Sequence, residues 1–312
     1  MYALVKIWVR TGLRFYCGKV TFEKRDMYNG NHPLILACSH PNSFFDALVM
    51  GAYHPRQLHF LARGDAFKNP KAARVLRMLN MIPIYRLSEG KENLDNNKQT
   101  FEQCMHVLKN KGAILIFSEG ISVNEWRLRP LKKGTARLAW MFWEEHNVKD
   151  MVVQPVGINY HSFAAIPKKV YVEYAPVISS PAFNYDNTAV FYKQFNNVLT
   201  ERLAKVVLNE DSPLLAKRRS DNAAKLSLAI PALAGYVLHR AFFVQWRRFI
   251  RSKTKDTVFF DSVLFGSLII IYPILVLLIT IAAVVVSANH WYWLLFVLIP
   301  FTAWSYKRFK SL

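Results

Sequence analysis

Short apolar runs alternate with amphipathic stretches along the first two thirds of the chain. "HPLILACS" reads as a buried strand ending at His40, and "SFFDALVMGAYH" as the helix after it. "QLHFLARG" is a strand, "NPKAARVLRMLN" a helix, "MIPIYR" a short strand. "NKQTFEQCMHVLKNKG" is an amphipathic helix whose closing Gly112 suits a C-cap. "AILIFSEG" is again a buried strand, "KKGTARLAWMFWEEHN" a helix, "VVQPVGINY" and "KVYVEYAPVI" strands, and "FYKQFNNVLTERLAKVVLNE" a further helix. Strands alternating with helices predict an α/β fold: a mostly parallel sheet flanked by helices. Ligands of such folds collect beyond the carboxyl ends of the strands. Those ends carry His40, Arg63, Arg86 and Glu119.

The C-terminal part has a different pattern. From Ser262 to Ser287 no residue is charged, a run long enough to cross a hydrocarbon core. After "SANH" comes "WYWLLFVLIPFTAWSY", shorter than a standard span, with aromatic residues at both ends as in an interfacial belt. The two form a transmembrane helical hairpin. "RRFIRSKTK" precedes it and "KRFK" follows it, so both flanks are expected on the cytoplasmic side and "SANH" opposite. At the other end of the chain, Lys6, Arg10 and Arg14 recur every four residues among Leu4, Ile7, Trp8, Val9, Leu13 and Phe15. That is a basic amphipathic helix, suited to the headgroup layer on one face and to packing on the domain with the other.

Charge sharpens this picture. Lys and Arg number 41 against 21 Asp and Glu, a formal charge of +20, in a chain that is 52% hydrophobic. A basic chain attracts nucleic acid or an anionic membrane surface. The long apolar runs favour the membrane and argue against nucleic acid. From Lys217 to Lys255 ten Lys or Arg face one acid, Asp221, a balance that suits a segment lying along an anionic bilayer. The expected organisation is a membrane-associating helix over 1–20, an α/β domain over 21–210, a basic interfacial segment over 211–257 and the hairpin over 258–312. Cys17, Cys38 and Cys104 have no metal-ligand spacing and cannot all pair, which fits a reducing compartment. Neither a metal nor a cofactor is expected.

The candidate chemistry lies in "ACSHPNSFFDALVM", residues 37–50. Six residues along a helix turn through about 600°, so His40 and Asp46 cannot share a helical face. They meet only across a bend, which Pro41, Asn42 and Ser43 supply. Two readings stand side by side. In one, His40 is a general base whose second ring nitrogen is oriented by Asp46. In the other, Ser43 and Asp46 form a near capping box and His40 is a surface residue. On the first reading a hydroxyl of the acceptor attacks directly, as in acyl transfer from a thioester, with no serine or cysteine nucleophile.

"SHPNSFFDALV", "MIPIYR", "IFSEGIS" and "VVQPVGINY" resemble, in order, the four blocks of the PlsC-type glycerolipid acyltransferases, over roughly residues 30–180. The resemblance implies His40 as base and Asp46 as its partner. It implies Arg86, Glu119 and Gly120 as the site of the phosphorylated acceptor, with Arg63 where the family often has lysine. It also implies an acyl-CoA or acyl carrier protein donor. The preferred acceptor is 1-acylglycerol-3-phosphate, giving phosphatidate; glycerol 3-phosphate or another lysolipid is the alternative. The site is expected on the cytoplasmic face of a membrane. Five residues separate His40 from Asp46 where the family usually has four. Ser118, Ile121 and Ser122 stand where it has proline, threonine and arginine, leaving Arg127 or Arg129 as candidates for that arginine. The competing class is a non-catalytic membrane protein that binds anionic lipid.

Overall fold

The computed structural model describes residues 1–85, 96–183, 187–215, 222–255 and 257–311. Helix α1 (Tyr2–Tyr16) leads into β1 (Cys17–Glu23), a strand with no counterpart in the expected elements. Then follow β2 (Leu34–Cys38), α2 (Phe44–Tyr53), β3 (Leu58–Arg63), α3 (Pro70–Met78), β4 (Met81–Ile84), α4 (Asn96–Lys109), β5 (Ala113–Phe117) and α5 (Gly134–Trp140). The α/β part closes with β6 (Val152–Tyr160), β7 (Lys168–Tyr174), β8 (Ile178–Ser179) and α6 (Thr188–Val206).

These strands form one sheet in the order β1-β7-β6-β2-β5-β3-β4, with β8 beside β6. Its pairings are parallel except β6 with β7 and with β8, so the expected mostly parallel sheet is what forms. Strand β2 lies at the centre and is buried along its whole length. Leu34, Leu36 and Cys38 face one core, with α1 and α2; Ile35 and Ala37 face the other, with α4, α5 and α6. A two-sided burial of this kind is why the strand reads as an unbroken apolar run. Pro155 sits inside β6, where a missing N–H would normally break a ladder. It falls between Val152–Val153, paired to β8, and Val156–Tyr160, paired to β7, so the gap costs little. At the end of α4 the left-handed residue is Lys111, not the expected Gly112, whose N–H instead donates to Val107 O at 2.8 Å.

The C-terminal part is helical: α7 (Asn222–Thr254), α8 (Phe260–Ser287) and, after a short 3₁₀ turn over His290–Leu294, α9 (Leu295–Ser311). Residues Lys225–Thr254 and Phe260–Ser287 are each long and apolar enough to cross a membrane. Ile270, Ile274, Leu278, Val285 and Val286 of α8 are exposed. Helices α8 and α9 form a hairpin whose base is on the α/β domain. Phe260, Leu264 and Phe265 belong to the domain's own core. At the other limb, Lys307 Nζ donates to the carbonyls of Arg14 and, at 3.0 Å, of Cys17. Helix α7 has both ends beside that base: Lys225 lies over Phe309 and Arg251 over Phe260. Its middle reaches Tyr272 through His239, at 3.0 Å. Helix α7 packs along α9, where Gly235 lies against the Thr302 backbone and the Tyr236 ring is 5.5 Å from that of Tyr306.

Helix α1 has one face on the domain and one exposed. Leu13 and Tyr16 are buried, while Leu4, Ile7 and Trp8 point outward. Its Lys6 Nζ donates to His54 O at 2.5 Å, tying it to the end of α2. Burial pushes the His54 imidazole down to about 4 from 6.5. The unfolded chain therefore takes up a proton near pH 6.5 that the folded one refuses until near 4. This contribution to stability is complete above pH 6.5 and is lost as pH falls toward 4, on the order of 3 kcal/mol. Unfolding midpoints measured from pH 7 to 4 should fall less steeply for His54→Gln than for wild type; parallel curves would remove His54 as the cause.

Candidate active site

Strand β2 ends at Cys38, and the chain turns through Ser39, His40, Pro41 and Asn42 into α2. Pro41 cannot continue a ladder, and Ser43 takes φ 51° and ψ −139°, a backbone region that side chains resist. Its N–H donates to Ser122 Oγ at 2.7 Å, which holds the strained residue from across the sheet edge. The bend that the sequence requires is therefore present. His40 Nδ1 meets Asp46 Oδ2 at 2.9 Å. Asp46 is completely buried; the His40 side chain keeps 16% of its surface exposed.

Three donors converge on Asp46: the His40 ring, the Asn42 N–H at 2.9 Å and the Tyr160 hydroxyl at 2.7 Å. Burial, reinforced by the Asp46 carboxylate, pushes the Tyr160 phenol well up, so it stays a donor. The capping reading is corrected: Ser43 makes no side-chain cap bond, and Asp46 turns back onto the residues before it. The His40 ring stacks on Phe117 at the end of β5, centroids 3.7 Å apart and planes 11° apart. With Nδ1 committed to Asp46 and one face covered, Nε2 is the ring nitrogen left for a substrate. An Asp-oriented imidazole with its far nitrogen open is the arrangement of a general base.

Glu119 ties the neighbouring loops to this turn. One oxygen accepts the His40 backbone N–H at 2.8 Å, the other the Arg129 N–H at 3.2 Å. Burial raises the Glu119 pKa, and those two N–H groups oppose the rise. Gly120 has φ 69°, and a β-carbon there would come within 2.9 Å of Lys132 Cγ, so this turn requires glycine. The loop then folds back over the turn that carries His40, with Asn124 Nδ2 on Pro41 O at 2.7 Å and Trp126 Nε1 on Tyr160 O at 2.6 Å. Arg127 and Arg129, the candidates for the family's third-block arginine, both pair with Glu125.

His40, Asp46, Glu119 and Gly120 are thus brought together. Arg63 lies at the carboxyl end of β3, two strands from β2 and so roughly 10 Å away along the sheet. It is half exposed and pairs with Asp65. Arg86 lies outside the described residues.

Sequence reasoning missed a buried polar cluster behind the turn. Asp261, at the start of α8, accepts from Asn42 Nδ2 at 2.7 Å and Tyr16 OH at 2.6 Å, and pairs with Lys168 Nζ. Ser262 Oγ accepts the Phe45 N–H at 2.9 Å. The signal was available: Asp261 is an acid at the threshold of an otherwise uncharged apolar run, where an ionisable group needs a reason.

At its carboxyl edge the α/β sheet thus carries an imidazole oriented by a buried carboxylate. Residues 19–159 match the family model described as Acyltransferase, a span that takes in His40, Asp46, Arg63, Glu119 and Gly120. The match, over somewhat less than half of the chain, agrees with the resemblance of its blocks to the PlsC-type acyltransferases. No curated protein matches the chain. One similar solved structure is the 1-acyl-sn-glycerophosphate (LPA) acyltransferase PlsC from Thermotoga maritima, at 14% identity and TM-score 0.46, over 65% of this chain and 78% of that one.

Proposed function

We propose that this protein transfers an acyl group from a thioester, acyl-CoA or acyl carrier protein, to the hydroxyl of a glycerol phosphate lipid precursor. The preferred acceptor is 1-acylglycerol-3-phosphate, and the product phosphatidate. The contact between His40 Nδ1 and the buried Asp46 carboxylate carries this reading. Nε2 removes the hydroxyl proton as that oxygen attacks the thioester carbonyl. The carbon–sulfur bond then breaks, and the imidazolium returns the proton to the departing thiolate. Asp46 stabilises the imidazolium and fixes its tautomer. Arg63 and Arg86 recognise the phosphate through charge-assisted hydrogen bonds. Glu119, both of whose oxygens already accept backbone N–H groups, positions the turn.

The hairpin is read as membrane-inserted. The outward apolar face of α8 calls for a lipid surround, and so do Leu226, Ile230, Leu233 and Val237, exposed on α7, which is itself long and apolar enough to cross a membrane. Basic residues flanking the hairpin support a catalytic face turned to the cytoplasmic leaflet. The test is purified protein with a labelled acyl donor and a panel of 1-acylglycerol-3-phosphate, glycerol 3-phosphate and other lysolipids. Mass spectrometry should find phosphatidate as the main product. Acylation of another lysolipid in preference would overturn the acceptor, and no acylation of any of them the function.

A further inference from the structure

Helices α1, α7, α8 and α9, with Ile166 and Pro167, line an open cavity of about 570 Å³. That is within the range of pockets that bury small organic ligands, roughly 300–1,000 Å³. Its walls are apolar, among them Trp8, Phe242, Leu268, Ile269 and Phe296. None of His40, Asp46, Glu119 or Arg63 lines it. Tyr16 and Phe265 close it toward the α/β domain, and Tyr16 is held there by Asp261. The cavity is therefore separate from the face on which His40 presents Nε2.

Four cations share its walls: Arg240, Arg247, Lys307 and Lys310. Among the described residues none of them pairs with a carboxylate. Arg247 Nη2 donates to Ala164 O at 3.2 Å, and Lys310 Nζ to Ile166 O at 3.2 Å. Arg247, Lys307 and Lys310 thus gather positive charge at the domain end of the cavity, where a bilayer's phosphates would lie, and the exposed Arg240 adds a cation further along its wall. Arg247 Nε is buried with no hydrogen-bond partner. A buried donor left in that state is costly, and an anionic oxygen in the cavity would satisfy it.

We propose that this cavity binds one anionic phospholipid of the bilayer, with an acyl chain along the apolar walls and the phosphate on Arg240, Arg247 and Lys310. The lipid is held, not acylated, because no catalytic group reaches it. The inference rests on the reading of α8 and α9 as membrane-inserted.

Purified protein in mild detergent, offered equal amounts of phosphatidylglycerol and phosphatidylcholine, should retain one phosphatidylglycerol per chain in native mass spectrometry. Arg240→Gln/Lys310→Gln should reduce that retention about tenfold or more, since each cation near a bilayer contributes about 1 kcal/mol toward anionic lipid. Ala303→Trp, which fills the cavity and keeps its cations, should also reduce it. Equal retention of the two lipids, or undiminished retention in the double variant, overturns the proposal. So does a rise in unfolding midpoint with inorganic phosphate alone that matches the rise with phosphatidylglycerol. If Ala303→Trp fails to fold, the double variant decides. Release of wild-type protein from membranes by alkaline carbonate would instead refute the membrane reading, so the two failures are distinct.

Discussion

His40→Ala should slow acyl transfer by about 10²–10⁴-fold, the range that a positioned general base contributes, and leave the protein in the membrane fraction. Among the described residues nothing else at the site offers a substitute base. Cys38, the nearest thiol in sequence, is fully buried, and burial pushes its pKa well up. Glu119 is occupied on both oxygens by backbone N–H groups. Asp46→Asn should fall in the same range for a different reason. Three donors meet the carboxylate, and an amide of the same size offers one oxygen and a donor where three acceptor contacts are needed. The ring loses its orienting partner while the packing stays close to native. Thiol release from the acyl donor measures both variants. Either one within a few-fold of wild type, in folded protein, would mean that His40 is not the base.

Lys168→Met should lower the unfolding midpoint sharply, by the equivalent of about 3–5 kcal/mol, because it leaves the Asp261 carboxylate buried without its counter-charge. Both side chains are essentially inaccessible, at 0% and 3% exposure. Adding Asp261→Leu removes the stranded charge and should restore much of the midpoint. Activity should not follow. Asn42 follows His40 in the same turn and donates to Asp261, so the double variant deprives that turn of an acceptor. A double variant that regains both stability and rate would show that the start of α8 anchors the fold without shaping the site. One that regains neither would show that the ion pair itself is required.

The alternation of apolar runs and amphipathic stretches was enough to place β2 to β7 and the helices between them, because a strand buried on both faces must be apolar throughout. Strand β1 was not legible. "CGKVTFE" alternates polar and apolar residues on the edge of the sheet, and its apolar positions run on from the amphipathic helix before it. The antiparallel turn of β6 onto β7 and β8 was also beyond the pattern, since strand direction leaves no mark on side-chain polarity.

The site divides in the same way. Residue types and spacing alone named His40 and Asp46 and required a bend between them, because helical geometry forbids their meeting otherwise. Whether that bend joins a base to its acid or merely caps a helix depends on contacts from distant parts of the chain. Ser122 holds Ser43, Tyr160 completes Asp46, Glu119 ties down the His40 backbone, and Asp261, 219 residues from Asn42, braces the turn from behind. A buried carboxylate reaches its hydrogen-bonding capacity only when the surrounding strands and helices have packed, so local sequence supplies the chemical groups and tertiary structure decides what they do.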